Sequence, residues 1–321
     1  MKYLRFVIIP AVLFLLPGVG QAGWFWQNPL PQGNHLTSTC FINFNTGYAV
    51  SSGGTALKTT DGGLSWEIQS LGTTQQLNSI HFPVDFQTGY AVGYSGTIVK
   101  TTNGGITWIS QASGTGYDLR SVHFPVNSQT GYAVGDNAIL KTTDGGTTWV
   151  SQVTVVGIYF RSVHFPVNDS VGYVVGMNDF LYAVIRKTTD GGSTWVNQTP
   201  GVTSSLYSVN FPVDDQTGYT VGGDGTILKT INGGGNWVGQ ASGIINYLRS
   251  VCFPVNDQTG YAAGRSGAIL KTTNGGTTWD SLSTGTTSAL QSVHFPFDDN
   301  TGYAVGLIGT ILKTTDGGTT W

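Results

Sequence analysis

Charge is scarce in this chain. Of its 321 residues only 10% are Asp, Glu, Lys or Arg, and Glu67 is the sole glutamate. The formal net charge of −3 is spread without acidic or basic runs, so nothing points to nucleic acid or to an anionic membrane surface. Cysteine is nearly absent too, with only Cys40 and Cys252 present. No Ser-His-Asp or Cys-His arrangement stands out, and no glycine loop precedes a helix in the way a phosphate site requires. The single long apolar run, Phe6 to Leu16, is too short to span a bilayer. It follows Lys2 and Arg5 and precedes Gly20-Gln21-Ala22, a small-x-small cleavage pattern. Residues 1–22 are therefore expected to be a secretory signal peptide, with the folded domain over 23–321 and a secreted or periplasmic destination. No membrane segment is expected after cleavage.

What the chain has in abundance is glycine, 47 residues, and aromatics, at 12%. Much of both falls in one turn repeated seven times, Thr-x-Asp/Asn-Gly-Gly-x-Ser/Thr/Asn-Trp. The first copy is Thr59-Thr60-Asp61-Gly62-Gly63-Leu64-Ser65-Trp66, and the tryptophan returns at Trp108, Trp149, Trp195, Trp237, Trp279 and Trp321. A period of this length marks repeats of one supersecondary unit. Asp-Gly and Asn-Gly build tight hairpins, and the side-chain oxygen can accept N–H groups across the turn. Asp61, Asp144, Asp190 and Asp316 hold that place in four copies, and Asn103, Asn232 and Asn274 hold it in three. Asparagine keeps the acceptor and loses the charge, which suits a turn and would harm an acid/base or calcium site. The seven positions are read as structural.

Each repeat contains four strand-like stretches: Leu-x-Ser-Val-x-Phe, Thr-Gly-Tyr-Ala-Val-Gly, Gly-Thr-Ile-Leu-Lys, and the residues after the turn tryptophan, such as Trp108-Ile109-Ser110-Gln111. Four antiparallel strands per unit predict an all-β propeller with seven four-stranded blades. Trp24-Phe25-Trp26-Gln27 repeats the Trp-x-x-Gln spacing, while nothing follows Trp321, so the N-terminal stretch is expected to supply the missing outer strand and close the ring. The open alternative is that the chain is a fragment of a longer array.

The turns resemble Asp boxes, or bacterial neuraminidase repeats. The wider unit, with Leu119-Arg120-Ser121-Val122-His123-Phe124 and then Thr130-Gly131-Tyr132-Ala133-Val134-Gly135, resembles the photosystem II stability/assembly factor propeller family over nearly all of the chain after residue 23. The resemblance implies a propeller with the boxes on outer-strand hairpins and, through an arginine patch of that family, a protein partner. Arg120, Arg161 and Arg249 stand at the similar positions, where other repeats have Thr37, Asn78, Tyr207 or Gln291. With Tyr117, Tyr159 and Tyr247 they are the candidate binding residues on the face opposite the boxes. Phe180 and Tyr182 join them, because the hairpin Met177 to Arg186 is longer than its counterparts and irregular loops carry binding.

Other repeated positions are read as structural. Lys58, Lys100, Lys141, Lys187, Lys229, Lys271 and Lys313 read as solvated strand residues. Cys40, His81, His123, His164, Asn210, Cys252 and His294 share one position on the first strands. Metal ligands must converge at about 2 Å on one ion, and a splayed ring with Asn and Cys exchanged for His fits packing between blades better. No metal, cofactor or catalytic residue is assigned.

Asp-box proteins include sialidases and glucan hydrolases, whose chemistry needs paired carboxyl groups or an arginine cluster with Tyr, Glu and Asp. Glu67 sits on an outer strand and no pair among Asp118, Asp136, Asp179 and Asp224 is marked by spacing. The expectation is a monomeric, non-catalytic binding or assembly scaffold for an unknown protein or glycan; a carbohydrate-binding propeller or sialidase-like glycoside hydrolase is the alternative. Mass spectrometry of the exported protein should find Gly23 at its N-terminus, and alkylation without reduction should modify both cysteines. Retention of Lys2, or an unmodified cysteine, would contradict this reading.

Overall fold

The computed structural model describes residues 33–83 and 86–321. The expected leader, the Trp24 to Gln27 strand and closure of the ring by that strand lie outside the described residues. The rest is all-β, with strands pairing antiparallel in chain order within sheets. In the first sheet these are Leu36–Phe41, Gly47–Ser51, Thr55–Thr59 and Glu67–Ser70. The second strand of each repeat is buried along its whole length, because it lies between neighbouring sheets, and the outer strand is largely exposed.

The expectation of seven four-stranded blades is corrected. The seven repeats form six sheets: four with four strands, one with six and one with three, Leu290–His294, Gly302–Gly306 and Ile311–Thr314. The six-stranded sheet arises because one strand, Val150–His164, runs from the third repeat into the fourth. Elsewhere this connection breaks at a glycine in the left-handed region, such as Gly114 at φ 72° or Gly243 at φ 73°. In the third repeat Val155 stands at that place, and a left-handed glycine, Gly157 at φ 82°, comes two residues later inside the strand. β-Branched residues resist positive φ and favour extended backbone, so the strand runs through the usual break at Val155 and takes its irregularity between Thr154 and Tyr159, around Gly157, joining two repeats.

Each Asp box folds through its own side chains. Thr59 Oγ1 accepts from Gly63 N–H at 2.8 Å and donates to Asp61 Oδ1 at 2.8 Å, while Ser65 N–H donates to the same oxygen at 2.9 Å. In the asparagine copies the acceptor is retained: Thr107 N–H reaches Asn103 Oδ1 at 2.9 Å, and Asn103 Nδ2 donates to Thr107 Oγ1 at 2.8 Å. Both glycines of every box have positive φ, which is why neither is replaced.

The boxes also tie repeats together, and here the reading of the lysines as solvated is corrected. Lys58 Nζ donates to the carbonyl of Gly104 in the next box at 2.7 Å, and Tyr48 Oη donates to the same oxygen at 2.8 Å. Tyr48 stacks on Phe82 of the next repeat, and Phe82 meets Trp108 edge-on. The remaining lysines reach the corresponding carbonyls of Gly145, Gly191, Gly233, Gly275 and Gly317 at 2.6–2.8 Å. The last repeat closes onto the first with the same set: Tyr303 Oη and Lys313 Nζ reach Gly62 O at 3.0 and 2.8 Å, and Tyr303 stacks on Phe41 at 3.6 Å. A buried hydrogen bond lost while the ring stays packed costs about 1–2 kcal/mol. Tyr132→Phe and Tyr303→Phe should therefore lower unfolding free energy by similar amounts in urea titration. A silent Tyr303→Phe would contradict closure through this seam.

Candidate functional site

A β-bulge sets the geometry of the channel mouth. In every repeat the first and second strands slip register by one residue, between Leu119 and Ser121, Phe160 and Ser162, or Leu248 and Ser250, for example. The residue left over is Arg120, Arg161 or Arg249 in these repeats and Thr37, Asn78, Tyr207 or Gln291 in the others. A bulge re-aims its extra side chain, and all seven line one cavity of about 300 Å³ at this end. The bulge also explains a repeated glycine: a Cβ on Gly135 would lie 1.9 Å from Asp118 O.

The three predicted arginines thus meet, but in unequal surroundings. Arg120 is paired, with Nη2 at 3.0 Å from Asp118 and 2.9 Å from Asp136, and its guanidinium lies 4.8 Å over the Tyr94 ring. Burial opposes its charge, yet hydrogen bonds to Asp136 and Tyr94 outweigh this and hold its pKa above the usual value. Arg161 has only the far side of Asp136, at 3.8 Å, and its Nε is buried without a hydrogen-bond partner. Burial and then repulsion from Arg120 push its pKa down, against the pull of Asp136. Arg249 also has a buried Nε without a partner; its guanidinium stacks 4.6 Å over Tyr207, and burial pushes its pKa down. The mouth therefore holds more cationic charge than its own carboxylates neutralise.

The predicted aromatics are placed around the cavity and not in its lining. Tyr117 is 40% exposed, Tyr159 Oη donates to Asp179 at 2.9 Å, and Tyr247 lies under Arg265. Phe180 and Tyr182 flank Leu181 at the tip of the long hairpin, between Gly172–Asn178 and Ala183–Thr188. Asn178 Oδ1 accepts from the N–H groups of Phe180 and Tyr182, both at 3.0 Å, and Ser205 Oγ donates to Leu181 O, so the tip is held in one shape. Tyr94 was not singled out from sequence, and Tyr207 and Asp136 were named there without a role at the site. Their signal was present in the alignment of repeats: Tyr207 shares the bulge position, and Tyr94 and Asp136 follow the second-strand glycine.

Within the channel, the mixed His, Asn and Cys position bonds to the backbone of the next repeat. Phe165 N–H donates to His123 Nδ1 at 3.1 Å, Phe211 N–H to His164 Nδ1 at 3.3 Å, Phe253 N–H to Asn210 Oδ1 at 3.2 Å, and Phe41 N–H to His294 Nδ1 at 3.3 Å. These four side chains are acceptors for the next repeat, which is why asparagine can replace histidine there, whereas His81 Nε2 lies 3.2 Å from Phe124 O and donates to it. Cys40 and Cys252 are free thiols, pushed up to about 11 by burial. Among the described residues no three His, Cys, Asp or Glu side chains are grouped to hold a metal ion, and no helix is long and apolar enough to cross a membrane.

The fold and its boxes define an Asp-box β-propeller with an arginine-lined mouth. The chain belongs to the PSII_BNR family, Photosynthesis system II assembly factor YCF48, whose model matches residues 21–115, 66–157 and 195–287. Comparison with curated proteins finds no match. Among solved structures, the chain is similar to one described as YCF48 bound to D1 peptide, at 20% identity and TM-score 0.73, covering 89% of this chain and 94% of that one. It is similar to YCF48 from Cyanidioschyzon merolae at 19% identity and TM-score 0.72, covering 89% and 97%. A GH74 xyloglucanase from Xanthomonas campestris shares the fold at 16% identity and TM-score 0.72, over 89% of this chain and 52% of the enzyme.

Burial holds His81, His164 and His294 at about 4, and His123 well below its ordinary value of 6.5. The unfolded chain takes up protons on these rings below pH 6.5 while the folded chain does not, so stability is full above that pH and is lost as pH falls towards 4. The melting temperature should decline over this window, and His164→Asn, which keeps the acceptor, should flatten the decline. An unchanged slope would contradict the buried neutral rings.

Proposed function

We propose that this chain is an exported, non-catalytic propeller scaffold that binds a protein partner at the arginine-lined mouth. The observation that carries the reading is the cationic surplus there. Arg161 and Arg249 converge on one cavity with buried, unpartnered Nε atoms, and the nearest carboxylates, Asp118 and Asp136, are engaged by Arg120. Guanidinium groups as weakly paired as Arg161, whose one ion pair is 3.8 Å long, and Arg249 suit a carboxylate-bearing segment, which they grip with two parallel hydrogen bonds. A bound peptide, as in the similar structure of YCF48 with D1 peptide, is the ligand type that supports this choice. Glycoside cleavage would instead need two carboxyl groups free to flank the bond.

The aromatic hairpin tip extends the same surface. Phe180 is 76% exposed and Tyr182 53%, and rigid aromatics beside a polar pocket are common anchors for protein partners. The expected export leader places the encounter outside the cytoplasm.

The test is capture of proteins from periplasm or medium by the mature chain and by Arg161→Gln/Arg249→Gln. Partners retained by the first should be lost from the second, and anionic peptides derived from them should bind at least about tenfold more weakly to the variant. Undiminished capture would remove the mouth as the site. Binding on a glycan array that depends on the same arginines would favour the carbohydrate reading.

A further inference from the structure

The opposite end of the channel carries a second patterned surface. In the third to seventh repeats the chain leaves the first strand through Phe-Pro-x, and the residue after proline is apolar and exposed: Val126, Val167, Val213 and Val255 at 50–59%, and Phe297 at 40%. Phe44 in the first repeat is 53% exposed, and its ring lies 4.8 Å from that of Phe297. These bends share an end with the Asp boxes, since Gly62 N–H donates to Asn45 O and Gly145 N–H to Gln129 O. The phenylalanine before each proline has a packing role, stacked on a tyrosine of the preceding repeat. The residue after proline has none of comparable extent, yet it stays apolar while changing from Val to Phe and while its neighbours vary among Asn, Asp, Ser and Gln.

The surroundings of this apolar ring are acidic. Asp169, Asp214, Asp215, Asp257, Asp298 and Asp299 lie in the same bends, beside the four box aspartates. The lysines of this end turn inward onto the box glycine carbonyls. Among the described residues the ion pairs recorded all lie at the other mouth. A second copy facing this ring would bring like charges together, and an anionic membrane would be repelled.

The geometry points to the Asp-box end as a second docking surface, for a protein segment that combines basic and apolar residues. It needs nothing from the arginine mouth, so the two sites stand or fall separately. Apolar side chains on the segment cover the Val and Phe ring, and its Lys or Arg groups meet the bend aspartates at the rim.

The test uses a fluorescein-labelled amphipathic peptide of leucine and lysine with the full chain, read by anisotropy, beside a leucine/glutamate and a serine/lysine counterpart. The leucine/lysine peptide should bind at least about tenfold more tightly than either. Val167→Ser/Val213→Ser/Val255→Ser should weaken it by about tenfold or more. Asp214→Asn/Asp298→Asn should weaken it too, with the turn retained, because Asn127, Asn168 and Asn256 already accept the same bend N–H groups in other repeats. Equal binding of the three peptides, indifference to the valine changes, or loss on Arg161→Gln/Arg249→Gln would overturn the proposal. So would sedimentation showing a dimer that the valine changes dissociate, since the ring would then face a second copy.

Discussion

One carbonyl oxygen recurs at the joints of this molecule. The first box glycine turns its C=O towards the preceding repeat, where a lysine donates to it at every joint and a buried tyrosine does so at most of them. Two donors from different strands on one acceptor, with the lysine also over the tyrosine ring, leave little freedom in the angle between repeats. The box has its shape because its own Thr and Asp or Asn side chains satisfy the turn from within, so the carbonyl is free to face outward. Repetition of this joint around the circle, including from Lys313 to Gly62, holds the ring without a disulfide.

The joints sit at one end and leave the other end free to vary. At that end the β-bulge projects one residue per repeat into the channel mouth whatever its identity, since the bulge is stabilised by backbone pairing and by the glycine opposite it. Threonine, asparagine, tyrosine, glutamine or arginine can occupy the place without disturbing the sheet. The scaffold thus supplies a ring of aimed positions, and this chain fills three adjacent or near-adjacent ones with arginine.

Legibility followed the period. The propeller, the boxes, the strand order within repeats and the grouping of Arg120, Arg161 and Arg249 could be read because each is a position compared across seven copies. The join of the third and fourth repeats was missed, although Val155 at the usual glycine place, with a glycine moved to position 157, was its signal, because the stretch was treated as a variable connection. The lysines were misread for a different reason. Their partners lie 45 to 50 residues away for Lys100 and Lys141, on another sheet's turn, and strand patterning carries no information about such contacts. The pairing of Arg120 with Asp136 was likewise missed: the repeated glycine marks the bulge, but strand patterning does not say which side chains the bulge brings together.

The central claim is that the joints hold the fold and the mouth arginines serve a ligand at some cost to it. Arg161 and Arg249 are desolvated cations whose pKa values are lowered by burial, and buried charges without full pairing are often replaced by apolar groups with a gain in stability. Thermal unfolding of Arg161→Leu/Arg249→Leu tests this most directly. The account predicts a melting temperature equal to or above that of the natural chain; a clear fall would show that the arginines belong to the architecture and not to a binding site.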